Sequence, residues 1–300
     1  GNPYFASGNA VFTALARRVG EAARVSLQCS HGVFVPGEYG SPVDGEATVK
    51  GGRKLGQSLP DIEAYADLFV HRDSAHRWVS ESRPRDAVNT HALQQHGRRV
   101  AFADEELYGR PDDAYSEKRR VSWGVHCYLH ADGDDAGDVL PVREEHFDGL
   151  QIGGARNYGF GALRLVDTQV VDLDALDYGR IEDADAHRVE LLTPFVTASE
   201  YPGADSQSVP WWWDAAGRSA TGELRRRTAS LVTGDDVYEV ETIDHGQTVP
   251  YAGSNPVQTA RNGVTRVGTH SRFGFGELRI RPAGGDRVPE RVERRTRGDA

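Results

Sequence analysis

The sequence predicts an α+β fold made of two related modules. A glycine-rich stretch occurs twice, as GGARNYGFGALRL at residues 153–165 and as GTHSRFGFGELRI at residues 268–280, and the copies align without a gap. Each copy follows a segment predicted to be helical and leads into one predicted to be a strand. Because a repeated sequence indicates a repeated local structure, we expect helix, glycine turn and strand in both halves.

The pattern of apolar residues predicts the remaining elements along the chain. Ser7 is a good helix N-cap, and the spacing of Val11 and Leu15 predicts a helix over about 9–27 that can break at Gly20. Alternating or apolar runs predict strands at 33–35, 120–130, 162–173, 188–197, 238–243, 248–251 and 277–281. Helical spacing predicts further helices near 61–69, 140–150, 222–231 and 256–264.

These elements divide into two expected domains. The first module occupies 1–180 and the second 187–285, with an acidic segment between them and a charged tail at 286–300. Residues 37–118 are interpreted as an insert in the first module, because most of them show no clear period. The chain begins at Gly1 and contains no methionine, so we expect that its encoded start is absent and that a first strand can be missing with it.

The composition favours a protein that works in high salt. Acidic residues number 45 against 35 basic ones, the net charge is −10, and the only lysines are Lys50, Lys54 and Lys118. This predicts a halophilic archaeon, in which an acidic surface serves solubility and does not exclude a nucleic-acid partner, although a GC-rich genome is an alternative explanation. Two cysteines and the lack of an apolar run of about 18 residues argue against a disulfide framework and a membrane span. We therefore expect a cytoplasmic protein with no membrane partner.

The glycine stretches are candidate anion-binding turns. Glycine takes positive φ freely, and a run of such residues can point successive N–H groups at one anion. The dinucleotide-binding motif requires strand, glycine turn and then helix, which is the reverse of the order here. The nucleoside-triphosphate loop requires a Gly-Lys-Ser/Thr ending that neither copy has. Tight turns without any ligand remain the alternative, and the rings of Tyr158, Phe160, Phe273 and Phe275 either stack on bases or pack in the core.

Both copies, IGGARNYGFGALRL and VGTHSRFGFGELRI, resemble the glycine-rich loop of the RAMP superfamily of CRISPR-associated proteins. The opening FASGNAVFTALA is similar to the segment that follows the first strand of that family. The resemblance implies tandem ferredoxin-like (RRM-like) modules, each with its loop before a strand. It does not extend to residues 37–118.

The resemblance also implies the function, an RNA-binding subunit of a CRISPR ribonucleoprotein effector complex in antiviral defence. The expected partners are crRNA and other effector subunits, without a cofactor or a metal. The residues expected to contact RNA are Gly153, Gly154, Arg156, Asn157, Gly159, Gly161, Gly268, His270, Arg272, Gly274 and Gly276. The alternative is a metal-independent endoribonuclease that processes precursor crRNA, with His245 or His270 in the catalytic role.

Three further groups of residues have two interpretations each. His245 follows Asp244 and is either a general acid/base, assisted by Arg261, Arg266 or Arg272, or a histidine that caps a turn. A zinc site or ordinary core packing explains Cys29, His31, His126 and Cys127. The three tryptophans at 211–213 either stack on bases or close the core and contact a partner subunit.

Overall fold

The computed structural model describes residues 5–40, 62–70, 72–73, 90–95, 98–103, 120–131, 144–152, 161–165, 167–204, 206–214, 224–265 and 270–284. Within these residues, helices and small antiparallel sheets form an α+β arrangement, as the sequence predicts. Several predictions fall outside the described residues, namely most of the 37–118 insert, the charged tail, and the site residues Gly153, Gly154, Arg156, Asn157, Gly159 and Gly268.

The strands of the first half form short antiparallel ladders. β3 (Gly32–Gly40) lies between β1 (Phe5–Ala6) and β6 (Arg120–His126). The other ladders pair β2 (Leu27–Cys29) with β7 (Leu129–Ala131), β4 (Thr90–Gln95) with β5 (Arg98–Ala103), and β8 (Leu150–Gln151) with β9 (Ala162–Leu163).

Three predicted strands of this half have different bounds in the structure. The strand predicted at 33–35 extends to Gly40, because a register shift between Pro36 and Tyr39 accommodates the proline. The strand predicted at 120–130 divides into β6 and β7, which belong to different sheets. The strand predicted at 162–173 is only the two residues of β9.

The first predicted helix is present and is broken where glycine was expected to break it. α1 (Gly8–Leu15) starts after Ser7, whose Oγ accepts a hydrogen bond from the backbone N–H of Ala10 at 3.2 Å, so the predicted N-cap is confirmed. The second helix, α2 (Glu21–Ser26), begins after Gly20. Shorter helical segments are a 3₁₀ turn at Tyr65–Phe69, α3 (Glu144–Phe147) and α4 (Gly179–Glu182).

Two three-stranded antiparallel sheets form the second half. β10 (His187–Leu191) lies between β14 (Thr248–Pro250) and β15 (Leu278–Pro282). β13 (Asp236–Ile243) lies between β11 (Phe195–Ser199) and β12 (Arg226–Thr233). The helix α5 (Pro256–Thr265) packs on β15, and a side chain at Gly263 would collide with the carbonyl of Leu278. The strands predicted near 238–243, 248–251 and 277–281 and the helix at 256–264 are therefore confirmed within one or two residues.

Two predictions for this half are wrong. Residues 188–197 are not one strand, because the chain leaves the first sheet after Leu191 and enters the second at Phe195, with Pro194 between them. Residues 222–231 were predicted as a helix, but the described part of this segment enters β12. The β-branched residues Thr228, Val232 and Thr233 suit a strand, and a turn with Gly234 at φ +64° joins β12 to β13.

Two hydrophobic clusters hold the described residues together, and both contain residues from each half. The first joins the 3₁₀ turn and α4 to both sheets of the second half, through residues such as Tyr65, Phe69, Val189, Ile243 and Ile280. The second joins α1 and β2 to β11, β12, β13 and the second glycine stretch, through residues such as Leu15, Leu27, Val196, Val240 and Phe273. The module boundaries and the ferredoxin-like topology stay predictions.

A buried ion-pair network covers the face of β15 that does not point at α5. Arg279 donates to both carboxylate oxygens of Asp73, at 2.8 and 3.0 Å, and through Nε to Glu190 at 2.9 Å. Next to it, Glu277 accepts two hydrogen bonds from Arg72. Burial alone would lower the pKa of Arg279, but hydrogen bonding and charge attraction from Asp73 and Glu190 raise it above its ordinary value. This network ties residues 72–73 to the sheet.

The repeat supplies a matched test of this network, because Arg164 occupies in the first copy the position of Arg279 in the second. We expect Arg279→Ala to lower the free energy of unfolding by about 3–5 kcal/mol, since it leaves Asp73 and Glu190 buried without their partner. Arg164 is exposed, so Arg164→Ala should change stability by less than about 0.5 kcal/mol. Denaturant unfolding in molar salt measures both values, and equal values for the two variants would contradict the structural role of Arg279.

Candidate functional site

The second glycine stretch runs along the edge strand β11. At one end, Nε2 of His270 lies 2.7 Å from Oγ of Ser199, the last residue of β11. At the other end, the backbone N–H of Gly276 donates to the carbonyl of Pro194 at 2.8 Å, just before β11 begins. The stretch is therefore fixed at both ends to the same strand.

The glycines of this stretch are required by the backbone geometry. A 3₁₀ turn at Ser271–Phe273 ends at Gly274, and both Gly274 and Gly276 have φ of +83°. A Cβ on Gly274 would lie 2.6 Å from Nδ1 of His31, and one on Gly8 would lie 2.6 Å from the carbonyl oxygen of Phe273. Only glycine combines this φ with so close an approach between two backbone segments. The start of α1 and the glycine stretch therefore meet backbone to backbone.

The aromatic rings of the second copy pack in the core. Phe273 is 2% exposed and makes an edge-on contact with Phe12, with 5.3 Å between the ring centroids. Phe275 lies between the rings of His31 and His270, at centroid distances of 6.0 and 6.2 Å. Core packing is thus confirmed for these two rings, whereas Tyr158 and Phe160 lie outside the described residues.

Of the predicted contacts in this copy, only Arg272 offers a charged group near the surface. His270 is 1% exposed and is surrounded by the rings of Tyr201, Phe273 and Phe275. Gly274 and Gly276 are also buried against protein. The side chain of Arg272 is partly exposed, and it makes no hydrogen bond or ion pair with any residue in the described ranges.

The first copy shows the same use of glycine at its last position. Gly161, which aligns with Gly276, has φ of +72°, and a side chain there would collide with the carbonyl of Ile152. Its own carbonyl accepts a hydrogen bond from the backbone N–H of Ile152 at 3.0 Å. Gly161 is thus a packing position, like Gly276.

His245 lies on a partly exposed turn that follows β13, at the end of β11 opposite His270. Its Nδ1 lies 3.0 Å from Oδ1 of Asp244, and its side chain is 37% exposed. Asp244 directly follows Ile243, which pairs with Phe195 at the start of β11, whereas His270 is anchored to Ser199 at the end of that strand. Four residues of strand separate these anchors, or about 13 Å. The structure therefore does not bring the two histidines together as an acid/base pair.

Arg261, one of the three arginines that the sequence assigned to His245, is engaged elsewhere. Arg261 pairs with Asp174 at 2.8 Å and lies over the ring of Tyr178, while Arg272 belongs to the glycine stretch. Arg266 lies outside the described residues. Arg225, at the start of β12, instead reaches the His245 turn, because its carbonyl accepts from the backbone N–H of Asp244 at 2.9 Å. Sequence reasoning missed Arg225–Arg227 because it treated that segment as a helix, although three consecutive arginines were visible.

The remaining candidates are mostly structural. Among the described residues, no three His, Cys, Asp or Glu side chains are arranged to hold a metal ion. Cys29 is fully buried in the second cluster, and Nδ1 of His31 accepts a hydrogen bond from the backbone N–H of Gly8 at 3.3 Å. Of the three tryptophans, Trp213 packs on Phe195, Trp212 contacts Tyr251, and Trp211 is 77% exposed.

No protein-family model, curated protein or solved structure matches the chain. In the described ranges, none of the helices has the length and apolar character needed to cross a membrane.

The packing role of the glycine stretch is tested by Gly274→Ala. We expect a loss of about 2–4 kcal/mol of stability, because the alanine must adopt positive φ and also displace His31 or Cys29. Gly284→Ala is the control, since a Cβ there meets no atom within 4 Å and should change stability by less than about 0.5 kcal/mol. Thermal and denaturant unfolding measure the difference; a Gly274→Ala protein as stable as the control would refute the close approach.

Proposed function

We propose that this protein is an RNA-binding subunit of a CRISPR ribonucleoprotein effector complex, a RAMP protein with tandem ferredoxin-like modules. In this proposal it holds crRNA beside its glycine stretches and binds other effector subunits in the cytoplasm. The observation that carries the proposal is Arg272, a partly exposed guanidinium without an ion pair in the described chain, presented by a turn that two positive-φ glycines constrain.

A fixed arginine suits this role for two physical reasons. Its planar guanidinium makes paired hydrogen bonds to phosphate, and the constrained turn lowers the entropy lost when RNA binds. Because the chain carries a net charge of −10, its affinity cannot come from overall attraction and has to come from such local groups.

In this proposal the predicted site residues have two roles, which are to shape the turn and to contact phosphate. His270, Gly274 and Gly276, which are buried, set the shape of the turn, and Gly161 does the same in the first copy. Arg272 contacts the phosphates. In the alignment, Arg156 and Asn157 match Ser271 and Arg272, so each copy places one arginine at the same part of its turn.

Removing Arg272 should weaken RNA binding. We expect Arg272→Ala to lower the affinity for a repeat-derived crRNA about tenfold, which corresponds to about 1.4 kcal/mol, because one charge-assisted contact is lost. Arg24→Ala removes an equal charge from an exposed position on α2 and should leave the affinity within about twofold. Gel shifts across a salt series measure both, and identical affinities in the two variants would argue against a contact at the glycine stretch.

The second candidate function is a metal-independent endoribonuclease. It is favoured by one observation, the exposed imidazole of His245 beside the carboxylate of Asp244, which is the arrangement of an oriented general acid/base. The placement of His270 at the other end of β11 argues against it, because cleavage needs a second group to protonate the leaving oxygen.

Incubation with precursor crRNA in EDTA separates the two functions. We expect the RNA to stay intact, because His245 and His270 are held near opposite ends of β11, which are about 13 Å apart. If the wild type instead cuts the RNA, and His245→Ala abolishes the cutting while His146→Ala does not, the enzyme replaces the binder as the favoured function.

A further inference from the structure

Three consecutive arginines form a basic surface at the start of β12. Arg225, Arg226 and Arg227 are all exposed. None of their guanidinium groups makes a hydrogen bond or ion pair with any residue of the described chain. Partnerless arginines are unexpected in a chain with 45 acidic residues, because carboxylates for surface pairing are abundant.

The backbone under this surface is held in place. The carbonyl of Arg225 accepts hydrogen bonds from the backbone N–H of Asp244 at 2.9 Å and from Nε2 of Gln247 at 3.1 Å. Its N–H donates to Oε1 of Gln247 at 2.6 Å. The bond from Asp244 extends the β12–β13 pairing by one residue, and the two bonds with Gln247 hold the backbone of Arg225 against the turn that follows β13.

The strand geometry arranges the side chains in a defined way. Successive residues of a strand alternate between faces, so Arg225 and Arg227 share one face and Arg226 points to the other. Two residues of strand span about 6.6 Å, a spacing close to that of successive phosphates in an extended single strand. Asp244 lies opposite Arg225, but its Oδ1 accepts the backbone N–H of His245 and lies 3.0 Å from the imidazole Nδ1.

This surface lies at the end of the β11–β13–β12 sheet where Gly276, the last glycine of the second stretch, is anchored. Gly276 bonds to Pro194, Phe195 pairs with Ile243, and Ile243 pairs with Arg226. The Gly276 end of the stretch and the arginines are thus separated by about three interstrand spacings, or about 15 Å. A single strand bound beside the Gly276 end of the stretch needs about two or three nucleotides to reach Arg225–Arg227.

We propose that Arg225–Arg227 form a second phosphate-binding surface, which takes the backbone of the same single-stranded RNA as it leaves the glycine stretch. This inference rests on the proposed RNA-binding function and extends it across the β11–β13–β12 sheet. Arg225 and Arg227 contact neighbouring phosphates, and the surface reads no base, because all of its groups are cations suited to phosphate oxygens.

The test measures the anisotropy of a labelled 20-nucleotide oligouridine over a salt series. The variant is Arg225→Ala with Arg227→Ala, and the matched control is Arg17→Ala with Arg24→Ala, which removes the same charge from exposed positions near α1 and α2. Arg272→Ala is measured in parallel, and circular dichroism establishes that each variant is folded. We expect the Arg225/Arg227 variant to bind at least about tenfold more weakly and its log K against log salt slope to fall by about 1.4, or about 0.7 for each lost phosphate contact.

The possible outcomes separate this inference from the function it rests on. If Arg272→Ala weakens binding and the Arg225/Arg227 variant matches its control, the inference is overturned and the proposed function stands. If only the Arg225/Arg227 variant weakens binding, the arginine surface stands and the role of the glycine stretch fails. A wild type that binds no oligouridine overturns both. A variant that loses affinity for a 20-residue oligoglutamate but keeps it for oligouridine assigns the surface to an acidic protein segment and overturns the inference.

Discussion

The described structure depends on the close approach of Gly8 and Gly274. These residues come from opposite ends of the chain, and a Cβ on either would lie 3.0 Å or less from backbone atoms of the other segment. The contact brings α1 onto the second glycine stretch, so that Phe12 meets Phe273 and the second hydrophobic cluster closes. Because the same stretch is bonded to β11 at both ends, the first helix, the glycine turn and the second sheet form one packed unit. The glycine motif is thus first a folding element.

Because the repeated residues have a packing role, the repeat alone does not identify RNA contacts. The features that the copies share most strongly, the glycines and aromatic residues, are the ones that the second copy buries. By contrast, the shared arginine after the turn has different surroundings in each copy, since Arg279 is buried in ion pairs and Arg164 is exposed. The residues that are identical in the two copies are therefore explained by the geometry of the turn. Any ligand contact has to come from residues that the turn displays, and in the second copy Arg272 is the charged group that the described turn leaves partly exposed.

The sequence predicts elements well where a local signal is strong. Ser7 and Gly20 bound the first two helices, and α5, β13, β14 and β15 agree with their apolar patterns. Prediction from the sequence fails where contacts with residues distant along the chain determine the local structure. A helix was predicted at 222–231 from local spacing, but pairing with β13 makes the segment a strand. The break at Pro194 and the burial of His270 against Ser199 likewise depend on contacts that no local pattern contains. The arginine surface was missed for the same reason, since only the strand puts Arg225 beside Asp244.

The proposed function poses a particular electrostatic problem, because an acidic chain would have to bind RNA in strong salt. Long-range attraction is screened within about 3 Å at molar salt, so only guanidinium groups in direct contact with phosphate contribute much. A flexible lysine surface would lose most of its benefit under these conditions, because each contact must also offset the entropy of fixing a side chain. Under the proposed function, arginines on a constrained turn and on a hydrogen-bonded strand would reduce that cost before RNA binds. Their lack of ion pairs within the described chain then has a physical reason, because a carboxylate partner would have to be displaced before each phosphate could bind.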